Sequence, residues 1–309
     1  MSSSWAAQEE RSNAFALWTI TWIARNLGRW TARLVLYPIV VYFVLSPRLR
    51  DHSLAYLRRV LPNEPGWMDV ARHIHAFAST LLDRVFMLSG RFDALEVRVH
   101  HSEALLHCVA NKRGALLLGS HLGSFEVMRC LAATEPDVRV KILMHRQKNA
   151  MVMSVLEALN PEIARAVIDT GGRDTNTVLA VKEALEEGCF VGMLGDRVYE
   201  DERTVRCHFL GGEVDFPCAP VMLASMLRVP VVLCFGLYRG GNRYDVHFEV
   251  LGENIRIERR TRETDLQQWV QRYVSRLEHY TAWRHTTGST FSTTGTSFKS
   301  NNNEILEIP

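Results

Sequence analysis

The sequence lacks most of the compact signatures that mark catalytic chains. It holds no H-E-x-x-H pair, no closely spaced ligand set and no G-x-x-x-x-G-K-S/T loop, so no metal site is expected and Gly171-Gly172 and Gly211-Gly212 read as turns. In Gly119-Ser120-His121-Leu122-Gly123 a histidine stands where the serine of a G-x-S-x-G elbow belongs, which removes the serine hydrolase reading. The six cysteines, Cys108, Cys130, Cys189, Cys207, Cys218 and Cys234, form no C-x-x-C pair, and they read as buried free thiols in a reducing compartment. No apolar run reaches the roughly 20 residues that cross a bilayer. A mostly polar stretch precedes the first such run and no small-residue cleavage site follows it, so export is not expected.

Net charge is also small, at +2, but its distribution is uneven. The first 60 residues carry Arg11, Arg25, Arg29, Arg33, Arg48, Arg50, Arg58 and Arg59 against Glu9, Glu10 and Asp51. These arginines are interleaved with two apolar runs, Phe15 to Ala24 and Leu34 to Leu45, and with Trp18, Trp22, Trp30, Tyr37 and Tyr42. Basic and aromatic residues mixed in this way fit a membrane surface rather than a nucleic acid. Residues 1–50 are therefore expected to be a membrane anchor, either one interrupted span or a helix in the interface. Two amphipathic helices packed on a soluble core would read the same way.

With 47% hydrophobic residues the remainder can bury a substantial core. Helical spacing runs from Asp51 to Leu88, broken at Pro62 to Gly66. His73 and His75 lie there two residues apart, on different helix faces, and are expected to be solvated or capping. After a linker around Gly90 to Ser102 the pattern alternates. Strands are expected at Ala115 to Gly119, Val138 to Met144, Arg165 to Ile168, Cys189 to Leu194, Val231 to Tyr238 and Tyr244 to Leu251. Helices are expected at Ser124 to Ala133, Ala150 to Leu159, Asp174 to Glu187, Pro217 to Arg228 and Thr264 to about Trp283. This order predicts an α/β fold over residues 51–285, with a mostly parallel central sheet flanked by helices. The Ser, Thr, Gly and Asn-rich stretch 286–309 reads as a disordered polar tail.

The chemistry concentrates where the apolar run of Gly114 to Gly119 stops at His121 and a helical pattern carrying Glu126 begins. On a regular helix two such residues lie about 140° apart, so His121 must sit in the turn, with Gly123 letting the backbone swing. A carboxylate in the first helical turn can hold one imidazole nitrogen and leave the other free to take a proton from a hydroxyl. Alone, the spacing is common by chance, and a plain turn histidine beside an exposed glutamate is then the better explanation.

With its neighbours the stretch resembles a known family, the bacterial lipid A biosynthesis (HtrB/LpxL-like) acyltransferases of the lysophospholipid acyltransferase superfamily. His121 and Glu126 match the H-x4-D/E motif, and Met144-His145-Arg146 resembles the second block. GMLGDRVYEDERTVRCHFLGG and FPCAPVMLASMLRVPVV resemble the third and fourth in order and spacing. LGRWTARLVLYPIVVYF, RHIHAFASTLLDRVFMLSG and GDRV look closer to relatives found with aryl-polyene-type lipid pathways. The tail departs from the aromatic-rich end usual in such proteins.

The resemblance implies transfer of a fatty acyl chain from a thioester, on acyl carrier protein or coenzyme A, to a hydroxyl or amine of a lipid or glycolipid. It implies no metal and no bound cofactor, at the cytoplasmic face of the bacterial inner membrane. His121 would be the general base, oriented by Glu126. Arg146, Arg197, Arg203 and Arg206 become candidates for anionic acceptor groups or the donor's phosphopantetheine arm, since guanidinium groups bind phosphate bidentately. Arg206 fits a solvent-facing strand position equally well. Asp196 would position a substrate hydroxyl or pair with an arginine. A catalytically idle lipid-binding protein that keeps the fold is the alternative.

Overall fold

The computed structural model describes residue 22 and residues 28–127, 138–171, 174–199, 202–283, 298–299 and 305–306. The apolar run from Phe15 to Ala24 and Cys130 lie outside these residues, apart from Trp22. Three helices open the described chain: α1 (Arg29–Leu45), α2 (Pro47–Val60) and α3 (Trp67–Leu88). Strand β1 (Glu96–His100) and helix α4 (Glu103–Ala110) lead to β2 (Leu116–Gly119) and a single 3-10 turn, Phe125–Val127. Then follow β3 (Val140–Met144), α5 (Ala150–Leu159), α6 (Pro161–Arg165), β4 (Val167–Asp169), α7 (Asp174–Glu186) and β5 (Phe190–Leu194). The last part comprises β6 (Thr204–Phe209), β7 (Gly212–Pro217), α8 (Ala219–Leu227), β8 (Val231–Tyr238), β9 (Arg243–Gly252) and α9 (Arg262–Trp283). Two short strands, β10 (Phe298–Lys299) and β11 (Ile305–Leu306), fall in the stretch expected to be a disordered tail.

Seven strands form one sheet in the order β1-β9-β8-β2-β5-β3-β4, and only β8 and β9 run antiparallel within it. The mixed, mainly parallel α/β fold is the one expected. Its centre is β2, all four residues of which are buried. Leu116 and Leu118 pack into the core on one face, while Ala115 and Leu117 pack into the core on the other. A strand buried on both faces has no polar side to present, which is why it reads as an uninterrupted apolar run.

Two features were not foreseen. The stretch taken as a linker contains β1, which pairs with β9 at the sheet edge from Glu96↔Arg243 to His100↔His247. Its alternating Glu-Val-Arg-Val-His pattern keeps mostly polar residues toward solvent, so it carries no continuous apolar signal. The hairpin of β6 and β7 turns at Leu210 and Gly211, both with positive φ, and forms a small antiparallel sheet beside α9.

Helix α1 is fixed to the body by its arginines. Arg29 makes a two-pronged ion pair with buried Asp83 of α3, at 2.8 Å for each contact, and Tyr244 of β9 donates to the same carboxylate at 2.9 Å. Arg33 donates to Tyr238 and to the carbonyl of Gly241. Only Ala32, Leu36 and Val40 of α1 are buried; Trp30, Leu34, Tyr37, Val41, Tyr42 and Leu45 are exposed. Among the described residues no single helix is long and apolar enough to cross a membrane. Helices α1 and α2, bent by 88° at Ser46, have the length and composition only as a pair. His73 is not a solvated residue: it stacks on Tyr56 of α2 and bonds Ser53 at 3.0 Å, helping to join α2 to α3.

Candidate functional site

The chain leaves β2 at Gly119, and Ser120 is buried immediately after it. His121 follows in a turn whose Gly123 has φ 80°, a region costly for residues with a Cβ. Ser124 then donates its backbone N–H to the carbonyl of Gly236 on β8 at 2.8 Å, pinning the turn to the sheet. The place expected for His121, at a strand end just before helical backbone, is the place it occupies. Of the helix expected from Ser124 to Ala133, residues 125–127 form the 3-10 turn and those beyond lie outside the described residues.

The carboxylate at His121 is Asp196. Its Oδ1 lies 2.9 Å from Nδ1 of His121, and its Oδ2 accepts the His121 backbone N–H at 2.7 Å. Sheet register explains the meeting. β2 and β5 are parallel neighbours with Gly119 opposite Leu194, and each chain runs two residues further to reach His121 and Asp196. Parallel strands end on the same edge of a sheet, where such folds gather their functional groups. Asp196 is 4% exposed, and α9 closes behind it through Tyr273, whose hydroxyl donates to the carbonyl of Gly119 at 2.9 Å. The buried carboxylate and burial itself both hold the Tyr273 phenol in its protonated form, burial being the larger cause.

Because a carboxylate accepts hydrogen bonds, the proton between the two groups belongs on Nδ1, and Nε2 of neutral His121 keeps its lone pair. Glu126 is engaged elsewhere. Its Oε1 is 2.9 Å from Nε of Arg84 on α3, and its Oε2 accepts from the Ser124 hydroxyl at 2.9 Å.

His121, Glu126 and Arg84 border a cavity of about 540 Å³ between α3, α5, α8 and the strand ends. Its walls are largely apolar, with Leu88, Phe125, Val152, Leu156, Met193, Met222 and Met226 among them. Volume and lining lie in the range of small-molecule sites, about 300–1,000 Å³ with a few polar groups set in an apolar wall. Lys148 and Arg197 supply positive charge there, their cations 5.0 Å and 5.9 Å from the ring of Tyr199.

The other arginines named from sequence are placed differently. The guanidinium of Arg146 donates to the carbonyl of Ala164 at 2.9 Å and its backbone N–H caps Asp169, so it clips α6 to the end of β4. Arg203 pairs with Glu263 at 3.6 Å and does not line the cavity. Arg206 pairs across the β6–β7 hairpin with Asp215 at 3.1 Å, in the exposed strand position weighed for it. Arg84, Lys148 and Tyr199 escaped the sequence reading. No motif links Arg84 to the turn it meets, and Lys148 and Tyr199 converge only through the fold.

One cluster among the described residues brings three possible metal-ligand atoms together, from His100, Asp245 and His247. The two imidazoles stack 4.5 Å apart and 8° from parallel. A metal lies in the plane of each imidazole that binds it, and planes so nearly parallel meet only far away. Burial, then the neighbouring His100, lowers His247 to a pKa of about 4, and Arg239 lies 3.3 Å from Asp245. The cluster therefore reads as a stacked histidine pair joining β1 to β9. Cys108, Cys189, Cys207 and Cys218 are buried thiols, and burial pushes Cys207 up to about 12, so none of these four has the environment of a nucleophile.

No curated protein matches the chain. A family model described as bacterial lipid A biosynthesis acyltransferase matches residues 73–280, a span that holds His121, Glu126, Asp196, Arg84 and the whole cavity wall. The chain belongs to the bacterial lipid A biosynthesis acyltransferase family.

Proposed function

We propose that this acyltransferase moves a fatty acyl chain from a thioester, carried by acyl carrier protein or coenzyme A, to a hydroxyl or amine of a lipid or glycolipid acceptor at the cytoplasmic face of a bacterial inner membrane. The observation that carries the reading is an imidazole with one nitrogen held, set in the wall of a largely apolar cavity that also bears cations. The apolar wall suits an alkyl chain. Lys148, Arg197 and Arg84 suit anionic groups on donor or acceptor.

In this mechanism Nε2 of His121 takes the proton of the acceptor O–H or N–H while that atom attacks the thioester carbonyl. The tetrahedral oxyanion collapses by breaking the C–S bond, and the imidazolium returns its proton to the departing thiolate. The acyl group passes directly, so no covalent enzyme intermediate and no metal or redox partner enters the balance. The test is purified full-length protein given radiolabelled acyl carrier protein or acyl coenzyme A with lipid and glycolipid acceptors, free fatty acid being counted separately. Labelled acyl-lipid forming faster than free fatty acid supports transfer. Tight lipid binding with no turnover on any acceptor would favour an idle lipid-binding protein.

The exposed apolar and aromatic face of α1 supports the membrane part of the reading, because rings such as Trp30 and Tyr42 favour the bilayer interface. Full-length protein is expected to float with vesicles containing anionic lipid, and Trp30→Ser with Tyr42→Ser to weaken that binding roughly tenfold. Equal flotation of both forms would remove α1 from the membrane contact.

A further inference from the structure

We infer that the ring of Phe125 is the floor of the cavity and sets the length of the acyl chain this enzyme transfers. The inference rests on the acyl-transfer reading and deepens it, from an alkyl chain of any length to a chain measured against one side chain. Two glycines carry it. A Cβ added to Gly119 would stand 2.8 Å from Cδ2 of Phe125, and one added to Gly192 would stand 2.5 Å from Cζ of the same ring. Packed side chains do not approach so closely, so the ring occupies room that exists only because neither position has a side chain. At Gly192 the three nearest atoms all belong to Phe125.

Strand register gives the ring its direction. Gly119 is paired with Leu194 at the strand ends, while Gly192 is paired with Leu117, one pleat repeat of about 7 Å farther into the sheet. Alternate residues of a strand share a face, so both glycines open on the same side. The ring therefore has one edge over Gly119, just before the turn of His121, and its tip over Gly192, away from the strand ends. Phe125 and Gly192 line the cavity together with Ile142, which is paired with Gly192 across the sheet, and with Leu88 of α3 and Leu156 of α5. A chain whose carbonyl is attacked beside His121, and which runs down between the sheet and these helices, meets the ring.

The two ends of this contact predict opposite changes. Phe125→Ala removes the floor and lengthens the space. Gly192→Ala lifts the ring off the sheet into the space the chain uses. A single methylene too many or too few in an apolar pocket changes kcat/KM by about 10–200-fold. Full-length protein can be given radiolabelled acyl carrier protein and acyl coenzyme A thioesters from octanoyl to stearoyl, with one acceptor held constant. The ratio of kcat/KM for the longest to the shortest accepted chain is expected to rise about 10-fold or more in Phe125→Ala and to fall by as much in Gly192→Ala. In the double variant the added methyl has no ring to displace, so the fall is expected to vanish. If Phe125→Ala does not fold, Phe125→Leu supplies the same readouts.

A ring that only supports the turn would lower the rates of all chain lengths alike. An unchanged ratio in both single variants would therefore overturn the assignment, as would a preference that follows the acceptor's chain and not the donor's. Binding of the same series as S-alkyl thioethers, which cannot transfer their chains, is read without turnover. Opposite shifts in the preferred length there, with no acyl transfer from any thioester, would refute the function and leave the floor standing. No shift in binding would remove Phe125 from chain selection.

Discussion

His121→Ala is expected to reduce acyl transfer by about 10²–10⁴-fold, the range that a positioned general base contributes. The loss should appear in kcat, since the imidazole acts as the proton moves and the apolar cavity that holds an acyl chain is otherwise intact. Alanine also strands the buried Asp196 carboxylate, whose Oδ1 then faces no donor, so a fall in stability of about 1–3 kcal/mol is expected alongside. His121→Asn separates the two effects. Its side-chain N–H sits close to where Nδ1 sat and can still donate to Asp196, but it has no basic nitrogen. The expected result is an enzyme as inactive as His121→Ala and measurably more stable in thermal unfolding. Transfer at the wild-type rate by either variant, measured with the same labelled thioester, would remove His121 from the chemistry.

Gly236→Ala should be nearly as damaging, although Gly236 lies on β8 and 115 positions beyond His121 in sequence. A Cβ there would stand 2.1 Å from the carbonyl oxygen of Ser124 and 2.4 Å from Cγ1 of Val127. The first of these is backbone and cannot rotate away. Gly236 also accepts the Ser124 N–H, so the strand and the turn touch along both their backbones. Adding the methyl must push the turn off the sheet or bend β8, at a cost of about 1–3 kcal/mol. Either movement displaces His121 from the end of β5. Because a shift of about 1 Å at a reacting group can cost about 10²-fold, kcat is expected to fall further than the change in unfolding temperature alone accounts for. Unchanged melting and unchanged kcat would show that the turn tolerates the methyl and is not held by this contact.

These expectations differ in how much of their basis can be seen along the chain. The end of an apolar run at Gly119, the histidine two residues later and the glycine that follows are local facts, and the structure places His121 in the turn they imply. The pairing H-x4-E is local as well, which is why it drew attention to Glu126. The partner Asp196 is 75 residues from His121, in the segment that resembles the family's third block, and nothing local to either segment says that the two side chains meet. Arg84, which takes up Glu126, reaches it from a helix before the sheet begins. Arg146 and Arg203, attractive as cations inside blocks that resemble those of the family, have their side chains on Ala164 and Glu263 instead.

The sequence by itself determined the alternation of strands and helices, the burial of β2 on both faces, the turn that carries His121 and the mixed basic and apolar character of the first helices. All follow from patterns a few residues long, because hydrophobic periodicity and turn residues act locally. Only the tertiary structure decided which carboxylate meets the imidazole. That choice depends on β2 lying beside β5 with Gly119 opposite Leu194, a register fixed by packing across the whole sheet and invisible to any window that holds only one of the two strands.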